Sequence, residues 1–196
     1  IVELEKLQSH VPVLPWDQIK PVIEQELDQS IDAVFQHFPS TPLAAGSIAQ
    51  VYKTQLLSGD MVVVKVRRPG IHNIIAADLR LLAHIAAVAE HYSTDLTRYR
   101  LQEVIHVLGA ALTEELDLAI EARNTETIAQ QFVDHPHITI PRIYTAFSTS
   151  DLLVQEYIDG IEPHNRHAIE QAGLDGALLA KRGAEAFLRM ALVDGV

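Results

Sequence analysis

The 196-residue sequence predicts an α+β fold. Apolar residues recur at helical spacing on both flanks, two or three strands crowd between about residues 43 and 67, and a further short strand stands at 151–157. Residues 1–15 read as a short polar helix running into breaks at Pro12 and Pro15. Trp16-Asp17 then opens a helix of about Gln18 to Leu27, and an apolar cluster from Ile31 to Phe38 leads to Pro39. The central strands form a hairpin whose tight turn is Ser58-Gly59-Asp60, and Pro69-Gly70 ends the second hairpin strand. A long helix follows, with Leu79, Leu82, Ile85, Ala86 and Ala89 at the spacing of one buried face. After a break near residues 93–95, a second helix carries Val104, Ile105, Leu108, Leu112, Leu116 and Ala119 on one side. Residues 139–147 read as extended, Asp151 to Tyr157 as a strand ended by Asp159-Gly160, and 164–194 as helical with Leu178, Leu179, Ala186, Phe187 and Met190 apolar.

Composition removes several function classes. With 26 acidic against 15 basic residues the net charge is −11, which argues against nucleic acid as a partner, because neutralising phosphates needs a basic face. There is no cysteine, so a disulfide framework, thiolate chemistry and a Cys-based zinc site are excluded. No uninterrupted run of about 18 apolar residues occurs, so no spanning helix is expected. Ten histidines yield only two close pairs, His135-Pro136-His137 and His164 with His167, and both make poor closed metal sites. No metal site is expected. G-x-S-x-G, H-E-x-x-H and G-K-[ST] are absent, which leaves hydrolase, metalloprotease and P-loop readings without support. The first and last residues look like cut ends of a longer chain.

The chemistry concentrates around one lysine. Pro42 to Lys53 is a small-residue turn followed by a strand, and Met61-Val62-Val63-Val64-Lys65-Val66 is a second strand with Lys65 in what reads as its buried middle. A buried ammonium is costly unless an anion meets it, and a loop of Ala, Gly and Ser lets backbone N–H groups approach a phosphate closely. A snorkelling lysine on an edge strand would leave the same trace. The densest acidic cluster, Thr113 to Asn124, offers carboxylates. On one continuous helix Asp117 and Glu121 share a face, while Glu115 turns to the other side. Either this is a solvated helix face, or Glu121 pairs with Lys65 and aims it at phosphate, as a helix glutamate does in protein kinases. Strands first, long helices inserted after the lysine strand, a further strand and then helices is the order of a kinase N-lobe entering its C-lobe. Arg67 and Arg68, at the strand end, read as solvent-exposed.

Five elements in order resemble the UbiB/ADCK family of atypical protein-kinase-like proteins. Leu7-Gln8 through Pro12 is similar to its LQ…VPP segment, and Pro42 to Lys53 to the alanine-rich loop that stands in place of a glycine-rich one. Val62 to Gly70 resembles its lysine strand, and Glu115-Leu116-Asp117 with Glu121-Ala122 and Asn124 its E-x-D…E-A-x-N element; Leu153 to Gly160 resembles its hinge. The resemblance implies a protein-kinase-like N-lobe with helical insertions and the first helices of a C-lobe. It divides the chain into an N-terminal helical extension (1–38), the N-lobe (39–157) and the start of the C-lobe (158–196).

The resemblance also implies roles. Lys65 would be the phosphate lysine, Glu121 its partner, and Glu115 with Asp117 a carboxylate pair facing the nucleotide pocket. Ala44, Ala45, Gly46 and Ser47 would cover the phosphates, with Gly46 standing where many members have alanine. Backbone groups of Glu156, Tyr157 and Ile158 would bind adenine. The implied cofactor is ATP or ADP with Mg2+, whose metal ligands belong to H-x-D-x-H-P-G-N and D-F-G segments that the sequence lacks. The parent would be an ATP-dependent kinase or ATPase supporting ubiquinone biosynthesis, cytoplasmic and peripheral to or anchored at the inner membrane through other segments. Its partners would be nucleotide, isoprenoid lipid or quinone-biosynthesis proteins, and the isolated piece would be inactive. A pseudokinase-type module sensing nucleotide or lipid is the alternative, and an aminoglycoside-phosphotransferase-like kinase shares the lobe order but not the E-x-D element.

Overall fold

A computed structural model describes residues 11–194; the helix expected over 1–15 and the Leu7-Gln8 segment lie wholly or mostly outside them. Helix α1, Trp16–Leu27, is followed by a 3-10 turn at Ile31–Ala33 and strands β1 (Phe35–His37), β2 (Ala44–Ala45), β3 (Ala49–Leu56) and β4 (Met61–Arg67). Helices α2 (Ile71–Tyr92), α3 (Thr94–Thr97), α4 (Leu101–Glu115) and α5 (Leu118–Gln131) come next. Strand β5, Leu152–Glu156, helices α6 (Arg166–Gln171) and α7 (Gly176–Arg189), and a π-helical turn at Met190–Asp194 complete the order. The five strands form one antiparallel sheet in the order β1-β3-β4-β5, with β2 also paired to β3.

Alternation along the strands divides two faces. On β4, Val62, Val64 and Val66 are fully buried, and on β3 Tyr52, Thr54 and Leu56 point the same way. Ile19 and Ile23 of α1 close over this face together with Ile31, Val34 and Phe35. Trp16, Phe35, Phe38 and Tyr52 lock the contact, with ring centroids 5.2 to 5.8 Å apart. The turn between β3 and β4 needs Gly59, whose φ of 96° is the left-handed region that a side chain disfavours.

On the other face, Leu118 and Ala122 of α5 pack on Leu153 and Ile143. Here the structure corrects the sequence reading. Lys65 is not in the buried middle: it lies opposite the valines, and its side chain is 31% exposed. The Val-rich run is buried on its even positions only, so the desolvation argument for Lys65 does not apply.

The long helices also depart from expectation. Of the expected α2 face only Ala86 is buried, while Leu82 and Ile85 are exposed. Helix α4 has no buried residue, and Val104 and Leu108 are exposed. The two helices pack on each other as a hairpin instead of lying on the sheet, so each apolar face is covered only in part, with Leu79, Ala89, Ile105 and Leu112 half-buried. By length and composition α2 could cross a membrane, with hydropathy 1.4. Asp78 and Arg80 interrupt its apolar stretch, so the helix has the length and mean composition of a span without the uninterrupted apolar run sought in the sequence. The segment expected to be extended over 139–147 makes one bridge, Ile143 to Gln155, and its last three residues, Thr145–Phe147, form a 3-10 turn instead.

Candidate functional site

Register carries the small-residue loop to the lysine. Ala44 pairs with Val51, Val51 with Lys65, and Lys65 with Leu153, so one row crosses four strands. The loop itself is a tight return in which Gly46 N–H donates to the Ala49 carbonyl at 2.8 Å and Leu43 N–H to that of Val51 at 2.7 Å.

The expected continuous acidic helix is broken. Helix α4 ends at Glu115, and Asp117 is the N-cap of α5, its φ of −95° and ψ of 97° placing it outside both helices. Its carboxylate accepts from Ala119 N–H at 2.9 Å. Asp117 and Glu121 therefore do not share a helix face in the sense the sequence implied. Short polar residues compete for backbone donors, and that competition starts a new helix here. Arg67 stabilises the break: its Nη1 donates to the Leu116 carbonyl at 2.9 Å and its Nη2 pairs with Asp151. Leu118 N–H donates to the Ser150 carbonyl at 2.9 Å, tying the start of α5 to the approach to β5.

These constraints aim Glu121. Flanked by buried Leu118 and Ala122, it leaves α5 along the sheet surface towards the row holding Lys65 and Leu153. Lys65 Nζ and Glu121 Oε2 meet at 2.6 Å although they are 56 positions apart in sequence. With side chains 31% and 42% exposed, the pair stabilises the fold by no more than about 1 kcal/mol. Its significance is geometric, in that it holds an ammonium on the open face of the sheet beside a loop of small residues.

The remaining expected residues are less gathered. Glu115 is exposed at the last position of α4. Asp117 lines a separate hollow of about 260 Å³ with Arg67, His72, Thr113 and Ser150. Glu156 ends β5, and its N–H donates to the Arg142 carbonyl at 2.8 Å. Tyr157 N–H donates to the Met61 carbonyl at 3.0 Å, while Ile158 is exposed.

Two arginines and a lysine were undervalued in the sequence. Arg67 and Arg68 are both engaged, Arg68 donating to the Gly46 and Pro12 carbonyls. Lys53 Nζ lies 3.5 Å from the centroid of the Tyr157 ring, a cation–π contact across the same face. Strand parity could have found Lys53, since it shares a face with Val51. Nothing local marks the carbonyl partners of the arginines. Among the described residues no group of three or more His, Cys, Asp or Glu side chains could hold a metal ion.

Comparison with known proteins follows the same lines. The model of the ABC1 atypical kinase-like domain matches residues 6–196. The chain is 38% identical to a probable protein kinase UbiB of Azotobacter vinelandii, covering 98% of this chain and 36% of that protein. It is 36% identical to Protein ACTIVITY OF BC1 COMPLEX KINASE 1, chloroplastic, of Arabidopsis thaliana, covering 99% of this chain and 29% of that protein. An uncharacterized protein of Synechocystis sp. is 37% identical over 97% of this chain and 34% of its own length. Among solved structures, the complex of Rv3197 with erythromycin from Mycobacterium tuberculosis superposes with a TM-score of 0.58 at 28% identity, over 76% of this chain and 37% of that one.

Proposed function

The chain belongs to the ABC1 atypical kinase-like family, and on that premise we propose that it forms the nucleotide-binding N-lobe of a UbiB-like kinase or ATPase. The observation that carries this reading is the 2.6 Å pair of Lys65 and Glu121 in the same cross-strand row as the Ala44 end of the small-residue loop. The group set suits a nucleotide: an ammonium for phosphate oxygens, a loop whose backbone can come close, and for the base the main chain reaching exposed Ile158, beyond the Glu156 and Tyr157 N–H groups that are already engaged. Lys65 binds and orients phosphate, and Glu121 holds Lys65 in place. Mg2+ would neutralise phosphate charge when bound, and its ligands are not assigned to residues described here.

The chain spans about a third of the length of the curated relatives it matches. The whole protein's activity is therefore a proposal: a kinase in name among the relatives, it would carry out ATP-dependent phosphoryl transfer or hydrolysis in support of ubiquinone biosynthesis, at the cytoplasmic side of the inner membrane. Quinone-biosynthesis proteins or isoprenoid lipid are its proposed partners. Without segments resembling H-x-D-x-H-P-G-N or D-F-G, the 196 residues alone turn over no ATP.

Calorimetric titration with Mg-ATP and Mg-ADP tests the reading. Lys65→Ala is expected to weaken binding by about tenfold, corresponding to about 1.4 kcal/mol, with little change in melting temperature. Nucleotide-induced thermal stabilisation that is the same in Lys65→Ala and in the unmodified chain would remove Lys65 from the site. Binding without turnover in the full-length parent would favour the sensing module over the enzyme.

A further inference from the structure

We infer that Arg68 is a positioning residue for the phosphate end of this site: it sets the orientation of the Gly46–Ser47 peptide in the small-residue loop. The inference rests on the nucleotide-binding reading and deepens it. Arg68 directly follows Arg67, the last residue of β4, and lines a hollow with Val22, Gln25 and Glu26 of α1, which places it on the α1 side of the sheet. Three contacts fix it there. Its N–H donates to the Ile48 carbonyl at 2.8 Å, its Nε to the Gly46 carbonyl at 2.9 Å and its Nη2 to the Pro12 carbonyl at 2.7 Å. Pro12 belongs to the same layer, because Leu14 two residues on donates its N–H to buried Gln50 and packs on the α1 core.

The Gly46 carbonyl is thus drawn towards the α1 side by a cationic donor that is itself anchored twice. In a planar trans peptide the C=O and the following N–H point in opposite directions. The Ser47 N–H is therefore turned to the Lys65 side, where a phosphate oxygen held by the ammonium would meet it. Released from Arg68, this peptide has no side chain to resist a flip, since glycine precedes it. The flip would present a carbonyl oxygen to the phosphate in place of a donor. A planar guanidinium can serve the Gly46 and Pro12 carbonyls together, whereas a lysine ammonium lacks that fixed fork.

The test uses the chain with Arg68→Ala and Arg68→Lys, titrated with Mg-ADP, Mg-ATP and phosphate-free adenosine, alongside hydrogen exchange of residues 46–49 without ligand. The expected result for Arg68→Ala is faster loop exchange and affinity for both phosphorylated ligands reduced by about tenfold, with adenosine unaffected. Arg68→Lys should fall between. A general loss of structure would lower adenosine affinity equally and would overturn the inference. So would unchanged exchange with unchanged Mg-ADP affinity, in which case the nucleotide reading still stands. Failure of the unmodified chain to bind any of the three ligands would remove both.

Discussion

Lys65 shows how much a single position on a strand decides. One residue's shift would put it among Val62, Val64 and Val66 under α1, where its charge would be stranded. Facing the other way, it keeps solvent and a carboxylate partner. Gly46 gives a residue-scale prediction. Its φ is not in the left-handed region, and a Cβ there would sit an ordinary 3.5 Å from the Ala49 carbonyl oxygen. Gly46→Ala should therefore fold normally and gain about 0.4–1 kcal/mol from reduced freedom of the unfolded chain, read by urea denaturation.

Tyr52 gives another prediction at this scale. Burial raises its phenol above the ordinary 10.0, and the hydrogen bond from Gln50 offsets only part of that. A pKa raised on folding contributes stability that is complete below the unfolded value and is lost as pH climbs through the folded one. Melting temperature should accordingly fall above pH about 10, and Tyr52→Phe should flatten that alkaline fall at the cost of the Gln50 contact.

At the scale of elements, the start of α5 is what aims Glu121. Leu118 is buried against Leu153 and Ile143, and truncating it to alanine should cost about 2–5 kcal/mol in denaturant unfolding. The cap is separable from that packing. Asp117→Ala should cost about 1 kcal/mol while Asp117→Asn, which keeps an accepting oxygen for Ala119 N–H, should cost little. Loss of nucleotide affinity in the asparagine variant with stability retained would assign the Asp117 charge to the site; equal affinity would confine it to capping.

For the whole molecule, apolar surface gathers on the helices that come after β4. Phe187 and Leu188 of α7 are more than half exposed, as are Leu81 and Ile85 of α2 and Val107 of α4. Patches of this kind associate. Sedimentation of the isolated chain should be concentration-dependent, and Phe187→Glu with Leu188→Glu should shift it towards monomer while leaving the unfolding of the sheet unchanged. Unaltered sedimentation in that double variant would place the contact on α2 and α4.

Much of this was legible in the sequence because it is local. Alternating valines, the Ser58-Gly59-Asp60 turn and the helical spacing of residues 18–27 each express a period of the backbone that side-chain polarity records directly. The residues of the loop, the lysine strand and the acidic element could likewise be named from their order along the chain. What the sequence could not decide by itself was direction. Helical spacing in α2 and α4 predicted a buried face, but periodicity is the same whether or not something covers it. The break at Asp117 depended on Arg67 and Ser150 being close enough to satisfy Leu116 and Leu118, and Arg68 found carbonyls far away in sequence. Such contacts follow from which strand lies beside which, so sheet register, and not composition, brought Lys65 to Glu121 and turned the loop peptide beside them.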